Sequence, residues 1–245
     1  MKNDISLILL PGLDGTGDLF RPFLEFLPEN IKPVIVSYPK DIPYGYDELK
    51  QVVMASLPED SNFIILGESF SGPLALMAAD DKPDALKGII LCATFVRNPF
   101  RLIPSWLSSL SVSPVYYLWP MTIKVRAWFS GGKYKDIFKM ALNAVKSVNP
   151  EVIANRVKAI LKVNVEKELK DCRVPILYLT STKDHLIKEH NIKNIKKIKK
   201  DVQEIKIDTL HFVLQLEPEK SAKEIIKFIE STAKDKSITM EVRLP

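Results

Sequence analysis

The sequence predicts an α/β fold, a mostly parallel sheet flanked by helices, with an inserted helical cap. Three observations carry this expectation. Six short apolar runs alternate with longer amphipathic stretches, the rhythm of strands joined by helical crossovers. Residues 97–165 break that rhythm and contain no convincing strand. A glycine-flanked serine stands between a strand-like run and a helix-like one.

In chain order, strands are expected at Ile5–Leu10, Lys32–Tyr38, Phe63–Leu66, Gly88–Thr94, Pro175–Thr180 and Val202–Ile207. Apolar runs of this length, repeated at this spacing, fit strands buried on both faces. Helices are expected at Asp18–Leu27, Asp47–Leu57, Ser71–Ala79, Lys188–Lys199 and Glu219–Ser231. The segment 97–165 opens with Arg-Asn-Pro-Phe-Arg-Leu-Ile-Pro and is dense in Trp, Leu, Val, Tyr and Pro over Ser105–Val125. A structureless loop of that length is uncommon in a single domain, so a helical cap is the expectation. The division is then 1–96 and 166–235 for the core, 97–165 for the cap, and 236–245 for a loosely held C-terminal tail.

The chain has 245 residues, which fits one α/β domain, and 46% of them are hydrophobic, enough for a sizeable core. No apolar run approaches the ~18 residues that span a bilayer. The run Ile5–Leu10 is short and is followed by Pro-Gly-Leu-Asp-Gly instead of a cleavage site, so it reads as a strand and the protein as cytoplasmic. Cys92 lies inside Gly-Ile-Ile-Leu-Cys-Ala-Thr and reads as a buried structural thiol; two cysteines make no disulfide framework. Three scattered histidines lack metal-ligand spacing. Much of the net charge of +5 comes from lysines between Lys183 and Lys200. They read as a solvated helix face, and without interleaved aromatics to stack bases no nucleic-acid partner is expected.

Gly67-Glu68-Ser69-Phe70-Ser71-Gly72 directly follows the third apolar run and opens a helix. A serine hydroxyl is a poor nucleophile until it is exposed and aimed at a base, and a strand–turn–helix elbow does this if small residues flank it at two positions either side. Gly67 and Ser71 meet that need around Ser69. Taking Ser71 as the nucleophile would put Ser69 and Pro73 in the flanking places, a poorer fit, and Ser71→Ala is expected to be mild.

Acyl transfer also builds an oxyanion, held by two backbone N–H groups. The amide of Phe70 is one candidate; the amide of Leu13, in the loop Pro11-Gly12-Leu13-Asp14-Gly15-Thr16-Gly17, is the other. That loop lacks the lysine of a P-loop and the glycine spacing of a dinucleotide fingerprint, which argues against phosphate binding. The base is expected at His211, after the last strand, rather than at His185 or His190. Asp184, after the fifth strand, is expected to orient it. Asp208 is the rival acid, three residues from His211 on the same strand end.

These motifs, in this order, resemble the α/β-hydrolase superfamily across nearly the whole chain. Two departures stand out: Pro11 where many members carry histidine, and Ser71 where glycine is usual. The resemblance implies an acyl-enzyme on Ser69 made and hydrolysed with His211 as base, with no cofactor or metal. It also places the 97–165 insertion where the superfamily carries its cap, after that family's sixth strand. Trp106, Leu110, Tyr116 and Trp119 would then line an acyl pocket. The implied activity is a carboxylesterase or thioesterase acting on a small-molecule acyl ester. An acyltransferase with the same triad and a non-catalytic binding protein are the alternatives. The chain is similar in one further respect to the pimeloyl-acyl-carrier-protein methyl ester esterases of biotin synthesis. Arg97, Arg101, Lys124 and Arg126 give the cap a basic character suited to an acyl carrier protein.

Overall fold

Residues 5–81, 83–100 and 134–241 are described by the computed structural model, with side chains to residue 232. Six strands, β1 (Ile5–Leu10), β2 (Ile31–Ile35), β3 (Phe63–Glu68), β4 (Leu86–Cys92), β5 (Ile176–Ser181) and β6 (Gln203–Ile207), form one sheet. Every pairing is parallel, in the order β2-β1-β3-β4-β5-β6. The inner strands β1, β3 and β5 are buried at every position, as their largely apolar runs require. The edge strands carry more polar residues; in the inner strands charge is confined to Lys87, near the start of β4, and Glu68, at the end of β3. Pro33 of β2 and the Gln-Glu-Ile-Lys-Ile of β6 sit where a missing donor or a polar side chain is tolerated.

Two apolar clusters follow from the two-residue period of the strands. On one face, Ile8, Leu10, Ile65, Leu91 and Tyr178 pack under α2 (Tyr46–Ala55), α3 (Gly72–Asp80), α6 (Glu166–Asp171) and α7 (His190–Ile198). On the other, Leu7, Leu9, Ile64, Leu66, Ile90, Cys92 and Leu179 meet α1 (Arg21–Leu24), α8 (Val213–Leu216) and α9 (Pro218–Glu241). Helix α9 contributes Ala222, Ile225, Phe228 and Ile229, one stripe at helical spacing. Each of the larger ones, Ile225, Phe228 and Ile229, contributes about 1.5–3 kcal/mol when fully buried.

Several expected boundaries shift, each for a local reason. The helix expected at Asp18–Leu27 is a 3-10 turn, Asp18–Phe20, followed by a single α-helical turn. Pro22 lies at the start of that turn and has no N–H to continue a preceding helix. Strand β2 stops at Ile35, and Tyr38, expected at its end, is a buried residue of the following loop. The final helix runs to Glu241, so most of the stretch expected as a loose tail is helical. No glycine or proline interrupts Glu219–Glu241, so nothing in the sequence terminates it earlier.

Between β4 and β5 lie α4 (Lys135–Lys146), α5 (Pro150–Lys162) and α6. The two ends of this excursion are tied together: Val165 N–H donates to Val96 O (2.8 Å), Arg97 bridges to Asn164, and Arg97 pairs with Glu166 (2.9 Å). Among the described residues no helix is long and apolar enough to cross a membrane.

Strand order sets the place of any site. From β1 the chain turns to one side to form β2, then crosses to the other side of β1 for β3. The loop after β1 and the turn after β3 therefore open side by side at the carboxyl ends of adjacent strands. Open parallel sheets bind their ligands at such a switch point.

Candidate active site

Ser69 directly follows β3 with φ 50°, in the left-handed region that side chains normally avoid. The turn is forced by close packing: a Cβ on Gly67 would lie 2.5 Å from Ser71 O, so only glycine fits there. The Ser69 carbonyl accepts from Thr94 Oγ1, and the Phe70 carbonyl from Tyr46 Oη (2.9 Å), with the Tyr46 and Phe70 rings stacked at 4.7 Å. Tyr178 holds Thr94 in turn, donating to its carbonyl (2.7 Å) and accepting from its amide (3.0 Å).

His211 follows β6 and is nearly buried at 9% exposure. Its Nδ1 lies 2.6 Å from Asp184 Oδ2, and its Nε2 lies 2.9 Å from Ser69 Oγ. A carboxylate can only accept, so Nδ1 carries the proton and Nε2 is free to accept from the serine hydroxyl. The other oxygen of Asp184 accepts from the amides of Leu186 (2.7 Å) and Ile187 (2.9 Å). Burial pushes the Asp184 carboxyl up, but the positive character of His211, its hydrogen bond and these two amides outweigh it. The net effect holds Asp184 below the usual carboxylate range.

The competitors lie elsewhere. Asp208 is exposed, accepting from Thr182 Oγ1 (2.8 Å) and pairing with Lys183 (2.9 Å). His185 is exposed, and His190 Nε2 faces the carbonyl of Pro99 at 3.1 Å. Ser71 is fully buried and its hydroxyl donates to Pro11 O, while Tyr38 Oη lies 2.7 Å from it. Burial pushes the Tyr38 hydroxyl well above its ordinary range, so it stays protonated as the donor to Ser71. Ser71 thus ties the elbow to the loop after β1, a role that glycine at this position could not fill.

That loop is a turn closed by Gly15 N–H on Gly12 O (3.0 Å), with Asp14 Oδ1 accepting from the amide (2.9 Å) and hydroxyl (2.6 Å) of Thr16. Leu13 lines the same cleft as Ser69 and His211. Among the described residues neither the Leu13 amide nor the Phe70 amide donates to another backbone group. The cleft has apolar walls from Leu19, Ala141, Val145, Leu186 and Phe212. Trp106, Leu110, Tyr116 and Trp119, expected in an acyl pocket, and Arg101, Lys124 and Arg126, expected at a carrier protein, lie outside the described residues.

Three residues in or beside the cleft carry no motif in the sequence. Glu68, at the end of β3, is buried and accepts from Gln215 Nε2 at 3.0 and 3.3 Å. Burial pushes its carboxyl up to about 7, against the opposing effects of Gln215 and His211. The third, Arg156, is buried on α5 against the loop after β1. A helical signal for it exists: Val152, Ile153, Arg156 and Ile160 share one face, so a charge stands inside an apolar stripe.

No protein-family model matches the chain, and no curated protein matches it either. Solved structures do. A lipase-esterase related protein from Clostridium acetobutylicum ATCC 824 superposes with a TM-score of 0.74 at 16% identity, over 93% of this chain and 95% of that one. An enol-lactonase from Burkholderia xenovorans LB400 gives 0.76 at 16% identity, over 93% and 92%. A bromoperoxidase from Bacillus anthracis gives 0.76 at 13% identity, over 92% and 91%. At such identities the likeness is one of fold, and the fold is that of the α/β-hydrolases.

Proposed function

We propose that the protein is a serine hydrolase that cleaves a carboxylic ester or thioester through an acyl-enzyme on Ser69. The observation that carries this reading is the hydrogen-bonded row from Ser69 through His211 to Asp184, at 2.9 and 2.6 Å, beside a cleft with apolar walls. The fold alone would not, because it hosts other chemistries. Two of the similar structures bear the names esterase and lactonase, both of which denote ester cleavage.

In the first step Ser69 Oγ attacks the acyl carbonyl as His211 Nε2 takes its proton. The imidazolium so formed is stabilised by Asp184, which also fixes the tautomer. Negative charge gathers on the carbonyl oxygen, where the Leu13 and Phe70 amides would meet it. His211 then gives its proton to the departing alcohol or thiol, whose bond to the acyl carbon breaks. Water, deprotonated by His211, attacks the acyl-enzyme and releases the acid and free Ser69. A substrate presented on an acyl carrier protein is the narrower form of this reading. Its support is the basic sequence of the 97–165 segment; of those residues Arg97 already pairs with Glu166, at 47% side-chain exposure.

Labelling with a fluorophosphonate probe, followed by a panel of p-nitrophenyl esters and acyl thioesters, tests the reading. Covalent labelling at Ser69 and turnover of at least one ester class are expected. A chain that neither reacts with the probe nor turns over any ester would overturn it.

A further inference from the structure

Arg156 is 1% exposed, and its guanidinium meets no carboxylate among the described residues. Its hydrogen bonds go to main-chain carbonyls instead. Nη1 donates to Leu13 O (3.0 Å) and Asp14 O (2.7 Å), and Nη2 to Pro39 O (2.8 Å). The group lies 5.6 Å over the ring of Tyr38, a cation–π contact. Gly15 makes the room. With φ +70°, it would place a Cβ 2.6 Å from Nη1 and 2.9 Å from the Tyr38 ring. A charge taken out of water at this cost and spent on the main chain of two loops is poorly explained by stability alone.

One of these loops carries the Leu13 amide. Two peptide planes meet at Leu13. The plane before it is held by Gly15 N–H on Gly12 O; the plane after it is held by Arg156 on Leu13 O. We propose that Arg156 is a positioning residue, whose fork of donors holds the turn at Leu13 and Asp14 so that the Leu13 amide stays aimed at the oxyanion. This rests on the reading of Ser69 as the nucleophile. The residue type fits: a planar guanidinium can satisfy carbonyls from two segments at once, whereas a lysine ammonium presents a single point charge. It also links the excursion between β4 and β5 to the reaction centre, since α5 supplies the clamp.

Helix α5 has other anchors, so its place does not depend on Arg156. Asn155 Nδ2 donates to Pro43 O (2.6 Å), Asn149 N–H to Lys40 O (2.8 Å), and Val148, Val152 and Ile153 pack on Leu13. Arg156→Lys and Arg156→Ala are therefore expected to fold, and circular dichroism with thermal melting checks this. Loss of an oxyanion donor costs ~10²–10³ in kcat, and a loosened donor is expected to cost about 10–100-fold. On a p-nitrophenyl ester, kcat should fall by that factor in both variants with KM within about threefold, because the donor acts on the transition state. Millimolar guanidinium should restore part of the loss in Arg156→Ala and leave the wild type unchanged. Undiminished kcat, a rise in KM alone, or failure of both variants to fold would overturn the proposal. Fluorophosphonate labelling of the wild type separates the two claims. An unlabelled wild type sinks the hydrolase reading and this inference with it, while a labelled wild type beside fully active Arg156 variants sinks this inference alone.

Discussion

The turn after β3 and the loop after β1 face each other across one cleft, yet they are held in different ways. The turn's shape is forced from within, by Gly67 against the Ser71 carbonyl and Ser69 in the left-handed region, and Thr94 and Tyr46 only brace its carbonyls from outside. The loop has a small internal turn, but its outer grip comes from Ser71, sixty positions on, and from Arg156, more than a hundred and forty positions on. A shape forced by sterics inside a few residues can be written as a motif. A shape forced by distant donors cannot, and it is open to change wherever those donors change.

Four tests break or sharpen this contrast. The largest effect is expected at the centre of the local turn: Ser69→Ala should lower kcat on an ester by about 10⁶, with the melting temperature unchanged. Steady-state turnover beside a thermal melt checks it, and near-normal rates would move the nucleophile elsewhere. Next, Asp184→Asn should lower kcat by roughly 10⁴ by releasing the imidazole tautomer, whereas the exposed Asp208→Asn should stay near wild type. Reversal of that order would identify the wrong aspartate.

Glu68 gives a third, smaller effect, read as stability against pH. Its folded value of about 7 stands above the ordinary carboxyl value of 4.5. The folded chain therefore keeps a proton that the unfolded chain loses, and this contribution is complete below pH 4.5 and lost as pH rises through 7. The gap corresponds to about 3 kcal/mol. Urea unfolding at pH 5 and pH 8 should show that fall in the wild type and a much flatter response in Glu68→Gln. An identical slope in the two would refute it. Asp184, with its lowered carboxyl, works in the opposite sense: its contribution is present above the ordinary range and lost only as pH falls through its own lower value.

The smallest effect tests the link between the two regions. Ser71→Ala should cost about 1–3 kcal/mol by leaving Pro11 O buried without its donor. From the sequence alone it was expected to be mild; burial and two partners make it a tie between elbow and loop. Chemical denaturation of the variant measures the cost, and a value near zero would show that the loop holds without the tie.

The strands were readable because a parallel strand buried on both faces must be mostly apolar, as β1 and β3 are apart from Ser6 and Glu68. Their neighbours were less so. Tyr38 looks like the last residue of a strand, but its amide turns to Gly15 O and its hydroxyl to Ser71. Around the cleft, Ser69, Asp184 and His211 each follow a strand end and could be picked one at a time. Arg156 could not be placed, because its partners are backbone carbonyls that any sequence possesses. Glu68 was hidden differently: it occupies the variable position of the elbow, and its hydrogen-bond partner, Gln215, is far along the chain.

The stapled ends of the excursion between β4 and β5 have a consequence for how the protein can vary. With Val96 and Val165 hydrogen-bonded and Arg97 paired with Glu166, the chain leaves the core and re-enters it at nearly one point. Loop-closure entropy grows only logarithmically, so doubling the length between those points adds about 0.6 kcal/mol. The segment can therefore lengthen, shorten or be swapped as a cassette with little penalty to the sheet. Exchange carries a hidden linkage, however, because α5 and its guanidinium travel with the cassette. A graft from another protein would bring new walls to the cleft and leave the carbonyls of Leu13 and Asp14 ungripped, unless the donor sequence also supplied a buried arginine at the same depth.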